Sequence, residues 1–168
     1  MDESTSDQKT LLKSKNVVFR LLKIRKLSEK EIRDRLKFKK TPKNIIEKTV
    51  YYFKNLRFID DRQFAKDWIN ARLSKPFGLN RIRLELRQKG IEDTIIEEEL
   101  ALKKENYLEE TIVSELVQRR FSRYKNLDKL KTKRRLFEYL IRRGFRIETI
   151  NKVLRKIDKT TIQYDDSQ

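Results

Sequence analysis

The chain has 168 residues, with no cysteine and no histidine, which excludes disulfides, thiolate metal sites and the usual general base. Charged residues make up 41% of it and apolar ones 37%, so its cores are thin and its surface is wet. Lysine and arginine number 43 against 26 acidic residues; a net charge of +17 repels itself unless nucleic acid or an acidic protein surface is near. Residues 1–7 are polar and acidic with few apolar anchors, so they read as a disordered tail and not as a signal peptide. The longest apolar runs, such as VYYF at 50–53, fall far short of a bilayer span of about 20 residues, and a soluble, cytoplasmic protein is expected.

Three glycines and two prolines leave little room for hairpins, and helix is the default. The apolar spacing agrees: Ile32 and Leu36; Ile46, Val50 and Phe53; Phe64 and Trp68; Ile82 and Leu86; Leu136 and Leu140. Intervals of three and four make a narrow stripe that faces a core. Ser28 followed by Glu31 predicts a capping box, and Thr41-Pro42 predicts a capping hydroxyl with proline at the first helical position. Asp60 and Asn80 are each expected to cap the helix after them.

The stretch LRQKGIEDTIIEEEL at 86–100 returns as LIRRGFRIETINKVL at 140–154, offset by 54 residues at every matched point. Leu86 pairs with Leu140, Gly90 with Gly144, and Ile96 with Ile150. An offset of 50 in the other direction pairs Ile82 with Ile32 and Leu86 with Leu36, with Lys40 in the place of Gly90. Gly90 and Gly144 are predicted just past a helix end, where glycine tolerates a left-handed backbone. The expected fold is all-α: three tandem three-helix repeats in an elongated, curved array. Their expected bounds are 8–57, 58–106 and 107–158, with a tail at 159–168. Leu86, Leu140 and Trp68 read as core positions, the last in preference to a base-stacking platform.

The charge is uneven. Residues 92–110 hold eight acidic residues against two lysines, a balance of −6, whereas 116–156 hold fifteen basic against three acidic, +12. Glu97, Glu98 and Glu99 read as a solvated helix face, and the acidic stretch as a surface for basic protein. Arg134, Arg135, Arg142 and Arg143 are expected on exposed flanks, with Arg146 in the turn beyond the glycine, all suited to phosphate or carboxylate. Arg72, Arg81 and Arg87 extend the cationic surface into the central unit. No phosphate-cradling loop, nucleophile with its base or metal-ligand set is present, and Asp60-Asp61 is better explained by capping. A non-catalytic binding module without cofactor or metal follows.

The stretch at 58–91 resembles the signature of the RecX family. It carries Asp60-Asp61, Phe64-Ala65, Trp68, Arg72, Gly78, Arg81-Ile82, Glu85-Leu86 and Lys89-Gly90-Ile91, and RRGF at 142–145 resembles the family's ending. Phe-Gly-Leu-Asn at 77–80 departs from the family's common glycine-proline, and the first unit matches only in its apolar register. The resemblance implies three tandem three-helix units and a modulator of the RecA recombinase. Such proteins lie in the helical groove of the RecA–single-stranded DNA filament and restrain its growth and its ATP-dependent activity. On that reading Arg72, Arg81, Arg87, Arg134, Arg135, Arg142, Arg143 and Arg146 contact the filament, single-stranded DNA is within reach, and the protein is a monomer. The rival reading is a free-standing DNA or RNA binder with a helix-turn-helix element at 80–89 or 129–143.

Overall fold

The computed structural model describes residues 3–104, 107–124 and 128–165; the expected boundary at 106 and the outermost tail residues, 1–2 and 166–168, lie outside the described residues. Among the described residues the secondary structure is helical, with no strand. The chain divides into two compact units, residues 1–68 with 86–99 and residues 69–85 with 100–168.

The first unit is built on α1 (Glu3–Ile24), α2 (Glu29–Phe38) and α3 (Lys43–Asn55), with parts of α4 (Asp61–Leu73), α5 (Leu79–Gln88) and α6 (Asp93–Lys104). α2 begins at the predicted capping box: the Ser28 hydroxyl accepts from the Glu31 amide at 3.2 Å, and the Glu31 carboxylate accepts from the Ser28 amide at 3.2 Å. The box fixes the start of the helix, so Ile32 and Leu36, one turn apart, both point inward and are fully buried. α1 and α2 both pack on α3, around Val18, Leu27, Ile32, Leu36, Ile46, Val50, Phe53 and Ile59. Phe53 is the centre of this core, with Phe19 edge-on at 4.8 Å.

The second unit is built on α7 (Glu109–Phe121), a 3-10 turn (Ser122–Tyr124), α8 (Lys129–Arg142) and α9 (Ile147–Asp165). These three helices pack on one another around Val113, Leu116, Val117, Leu136, Leu140, Phe145, Ile150 and Val153. Asp128 caps α8, its carboxylate accepting from the Leu130 and Lys131 amides.

The repeat is written in the backbone as well as in the apolar pattern. Lys40, Gly90 and Gly144 have φ of +58°, +79° and +82°, so lysine takes the same left-handed turn as its two glycine counterparts. In each case the residue after the turn donates back to a buried leucine carbonyl: Thr41 to Leu36 at 3.1 Å, Ile91 to Leu86 at 3.1 Å, Phe145 to Leu140 at 3.3 Å. This is the Schellman closure of a helix end, made three times in register.

Successive repeats meet where one second helix starts and the next one ends, and each unit holds one such junction. In the first unit the Ser28 hydroxyl donates to the Lys89 carbonyl at 2.7 Å, and the Lys89 ammonium reaches Glu31 at 2.8 Å. In the second, the Gly78 amide donates to the Arg143 carbonyl at 2.9 Å and the Asn80 amide to the Gly144 carbonyl at 3.2 Å. A Cβ on Gly78 would stand 2.1 Å from the Gly144 carbonyl oxygen, so only glycine fits.

Several expectations need correction. Pro42, not Thr41, is the cap of α3, and it makes no side-chain cap hydrogen bond. Asn80 lies inside α5 and accepts from Arg83, because the chain before it is spent on the contact with Gly144. Asp60 does cap α4, accepting from the Gln63 amide at 2.9 Å. Glu99 is not part of a solvated face: it is 3% exposed and holds Arg62 at 3.0 Å. The stretch expected as an N-terminal tail is helical from Glu3, and Asp7 accepts from Asn44 at 3.2 Å. α9 likewise runs on through Asp165, within the expected C-terminal tail.

Candidate functional site

Three of the arginines singled out by sequence converge in the second unit, around the loop between α4 and α5. Arg72, on the last turn of α4, places its Nε 2.6 Å from Glu85, and Arg81 places its Nε 2.9 Å from the other oxygen of that carboxylate. Arg143, at the end of α8, donates to the Pro76 carbonyl at 2.8 Å. All three guanidiniums lie around the Phe77 ring, at 5.6, 6.0 and 5.3 Å from its centroid. Arg81 also donates to the Arg142 carbonyl at 3.3 Å. Two guanidiniums on one carboxylate and a third on a backbone carbonyl make a cationic group with restricted side chains, and binding an anion there orders little that is not already ordered.

Farther back along α8, Arg134 is 82% exposed and tethered to Glu138 at 3.1 Å, within the same helix. Arg135 faces solvent near the Tyr124 ring, and Arg142 is exposed; neither pairs with a carboxylate among the described residues. Arg134 and Arg142, eight residues apart, mark a basic ridge about 12 Å long at 1.5 Å per residue.

The other predicted residues are not part of this group. Arg146 is held by the buried Glu109, 2.6 Å from its Nε, with the Arg146 amide and the Thr149 hydroxyl on the same carboxylate. Glu109 raises the Arg146 guanidinium above its ordinary value and fixes it as part of the fold. Arg87 belongs to the first unit and pairs with Asp93 at 2.6 Å. Trp68 is half-buried, stacked on Phe64 at 5.8 Å, with the Lys89 ammonium 4.3 Å over its ring. Leu86 and Leu140 are fully buried, as core positions should be.

The acidic stretch is largely spent within the molecule. Glu98 and Glu99 hold Arg62, Glu109 holds Arg146, and Glu110 takes both Lys152 and Lys156 at 2.6 Å. Those hydrogen bonds from Lys152 and Lys156 lower the Glu110 carboxyl below its ordinary value. Sequence reasoning did not find Phe77 or the bridging role of Glu85. The signal was available in part, since Arg81 and Glu85 stand one turn apart on α5. Among the described residues no group of histidine, cysteine or carboxylate side chains could hold a metal ion, and no helix is long and apolar enough to cross a membrane.

Two stretches match known domains: residues 60–100 match the second three-helix domain of RecX, and residues 109–154 its third. The regulatory protein RecX of Clostridium beijerinckii is 31% identical over 155 residues, covering 90% of this chain and 71% of that protein. This chain belongs to the RecX family. The regulatory protein RecX of Clostridium acetobutylicum is 36% identical over 135 residues, 77% of this chain and 62% of the relative. The crystal structure of RecX from Lactobacillus salivarius, at 22% identity, shares the fold with a TM-score of 0.75 over 90% of this chain and 98% of that one. RecX kinship thus accounts for the all-helical repeat architecture and places the chain among proteins named as regulatory.

Proposed function

We propose that this RecX-family chain regulates RecA by docking in the helical groove of the RecA–single-stranded DNA filament, where it restrains filament growth and ATP hydrolysis without chemistry of its own. The observation that carries the reading is the group formed by Arg72, Arg81 and Arg143 around Phe77 and Glu85, continued by the exposed Arg134, Arg135 and Arg142 on α8. A prepositioned guanidinium group recognises phosphate oxygens or acidic side chains with forked hydrogen bonds, and a nucleoprotein filament presents both. Repeats at 8–57, 58–106 and 107–158 supply three modules of one kind, in a cytoplasmic monomer whose net charge of +17 disfavours self-association.

The test is RecA-catalysed ATP hydrolysis on single-stranded DNA, titrated with wild type and with R134E/R135E/R142E at two salt concentrations. Wild type is expected to slow hydrolysis, less so at high salt. The triple variant should need about tenfold more protein for the same effect, as expected when several phosphate or carboxylate contacts are reversed, with helix content unchanged by circular dichroism. Wild type without effect on RecA would remove the functional reading; full inhibition by the triple variant would remove only these residues from it. Binding to bare DNA without any effect on RecA would favour the helix-turn-helix alternative.

A further inference from the structure

Most arginines that approach a carboxylate are consumed by it: Arg25 by Glu31, Arg33 by Glu29 and Glu47, Arg62 by Glu98 and Glu99, Arg87 by Asp93. The lysines at 37, 39 and 40 are different. They are exposed, and neither they nor Lys13 pair with a carboxylate among the described residues. Lys13, Lys39 and Lys40 converge in the first unit on a cleft of about 370 Å³ beside α1 and the turn between α2 and α3. Thr10, Ser14 and Thr41 add hydroxyls, Val17, Leu36 and Pro42 make the rest of the wall apolar, and no acidic side chain lines it. The two larger clefts are of mixed charge: one sets Glu29, Asp34, Asp60, Asp61 and Glu92 beside five cations, Lys37 among them, and the other sets Glu109, Glu110 and Glu148 beside Arg146 and Lys152. The Thr10 and Ser14 hydroxyls donate to the carbonyls of Ser6 and Thr10 at 2.9 Å each, so the donors offered to a ligand are the ammonium groups.

Two further observations say what kind of anion fits. Phe38, between Lys37 and the cleft-lining Lys39, is 85% exposed, the most exposed large apolar side chain of the described residues. One Cα step of about 3.8 Å separates it from the residue that lines the cleft. Lys40 keeps a left-handed backbone at φ +58°, where the other two repeats use glycine, and a Cβ-bearing residue adopts that conformation only against a steric cost. A strained cation in a carboxylate-free cleft, with a bare aromatic side chain one residue outside its lining, is the chemistry of a single-stranded nucleic acid: phosphate to ammonium, base to ring. A duplex is a poor occupant because its bases are already stacked on each other.

We infer that Lys13, Lys39 and Lys40 hold the phosphodiester backbone of a single-stranded nucleic acid and that Phe38 stacks on one of its bases, without sequence preference. The site lies in the first unit, whereas the arginines assigned to RecA belong to the second, and it stands whether or not RecA is the partner. It is tested without RecA, by fluorescence anisotropy of a labelled dT oligonucleotide and of a matched duplex. K13E/K39E should weaken oligonucleotide binding and flatten its salt dependence by a slope of about 1.4, two phosphate contacts at about 0.7 each on a single strand. F38A should weaken it about tenfold, the size of a lost base stack, and leave duplex binding unchanged. K40G, which keeps the left-handed turn and relieves its strain, should raise the melting temperature while weakening oligonucleotide binding. Wild-type affinity in K13E/K39E and K40G, or equal losses on duplex and single strand in F38A, would overturn the inference. Displacement of the oligonucleotide by polyglutamate at equal charge would also overturn it, in favour of an acidic polypeptide. A wild-type protein that binds the oligonucleotide yet leaves RecA unaffected would sink the RecA reading and leave this site standing.

Discussion

The two junctions between repeats do the same job with different chemistry. Around Ser28 and Lys89 the first is closed by side chains: one hydroxyl caps α2 and donates to the end of α5, and a carboxylate gathers Arg25 and Lys89 beside it. Around Gly78 and Gly144 the second is closed by backbone, at a distance that leaves no room for a Cβ. At Ser28, Glu31 and Lys89 the first junction therefore tolerates change in proportion to the hydrogen bonds lost, whereas the backbone contact at Gly78 and Gly144 tolerates almost none. Side-chain junctions can be tuned by pH and substitution, whereas backbone junctions either close or fail.

The sharpest way to break this comparison is an alanine at each glycine. Gly144→Ala adds a Cβ 2.2 Å from the Arg81 backbone nitrogen at a left-handed φ, and should destabilise by about 3 kcal/mol or more, the upper range of overpacking with backbone strain added. Gly90→Ala meets the Lys30 Cβ and Cδ at 2.6 Å at a similar left-handed φ. The Cδ can swing aside and the Cβ moves only with α2, so its loss should be smaller than that of Gly144→Ala, which meets backbone, by about 1 kcal/mol in urea denaturation. Equal losses would mean that the two junctions are equally rigid.

Ser28→Ala comes next. It strips the cap from α2 and leaves the Lys89 carbonyl without its donor, and should cost about 1–2 kcal/mol. The smallest effect is expected from Glu31→Gln, and it depends on pH. Burial alone would raise the Glu31 carboxyl, but hydrogen bonds from Arg25, Lys89 and the Ser28 amide outweigh it and hold the value at about 2 against an ordinary 4.5. The folded state therefore favours the carboxylate; its contribution is present above pH about 4.5 and is lost as pH falls towards 2. The melting temperature of Glu31→Gln should lie below that of wild type at pH 7 and meet it near pH 2. A gap that persists at pH 2 would show that Glu31 acts by shape rather than by charge.

The repeat itself was legible because it rests on local rules. Apolar intervals and glycine stops are properties of neighbouring residues, and they located Leu86, Gly90, Leu140 and Gly144 correctly. Lys40 shows the limit of composition: nothing in lysine announces a left-handed turn, yet the register imposes one. The caps divide on the same ground. Ser28 and Asp60 act within three residues and were readable, whereas Asn80 lost its role to a contact 64 residues away in sequence, between its own amide and Gly144. Among the arginines, sequence supplied the positive charge but not its employment. Arg146 and Arg62 are consumed by Glu109 and Glu99, partners fixed only by the tertiary fold, while Arg72 and Arg81 share a carboxylate that lies close by in sequence. The cleft at Lys13, Lys39 and Lys40 joins α1 to a turn 26 residues farther on and carries no local mark beyond an exposed phenylalanine.

Lys40 also shows what the glycine turns are for. Wherever one repeat follows another, the turn that receives it is glycine, because the newcomer's side chain or backbone takes the space of a Cβ. The first repeat presents lysine at that turn, with the same left-handed backbone but a Cβ in the place the other two leave empty. A duplicated unit that carries Gly90 or Gly144 brings the seat for its upstream neighbour with it, so the glycine turn is the part of the repeat that a copy must keep.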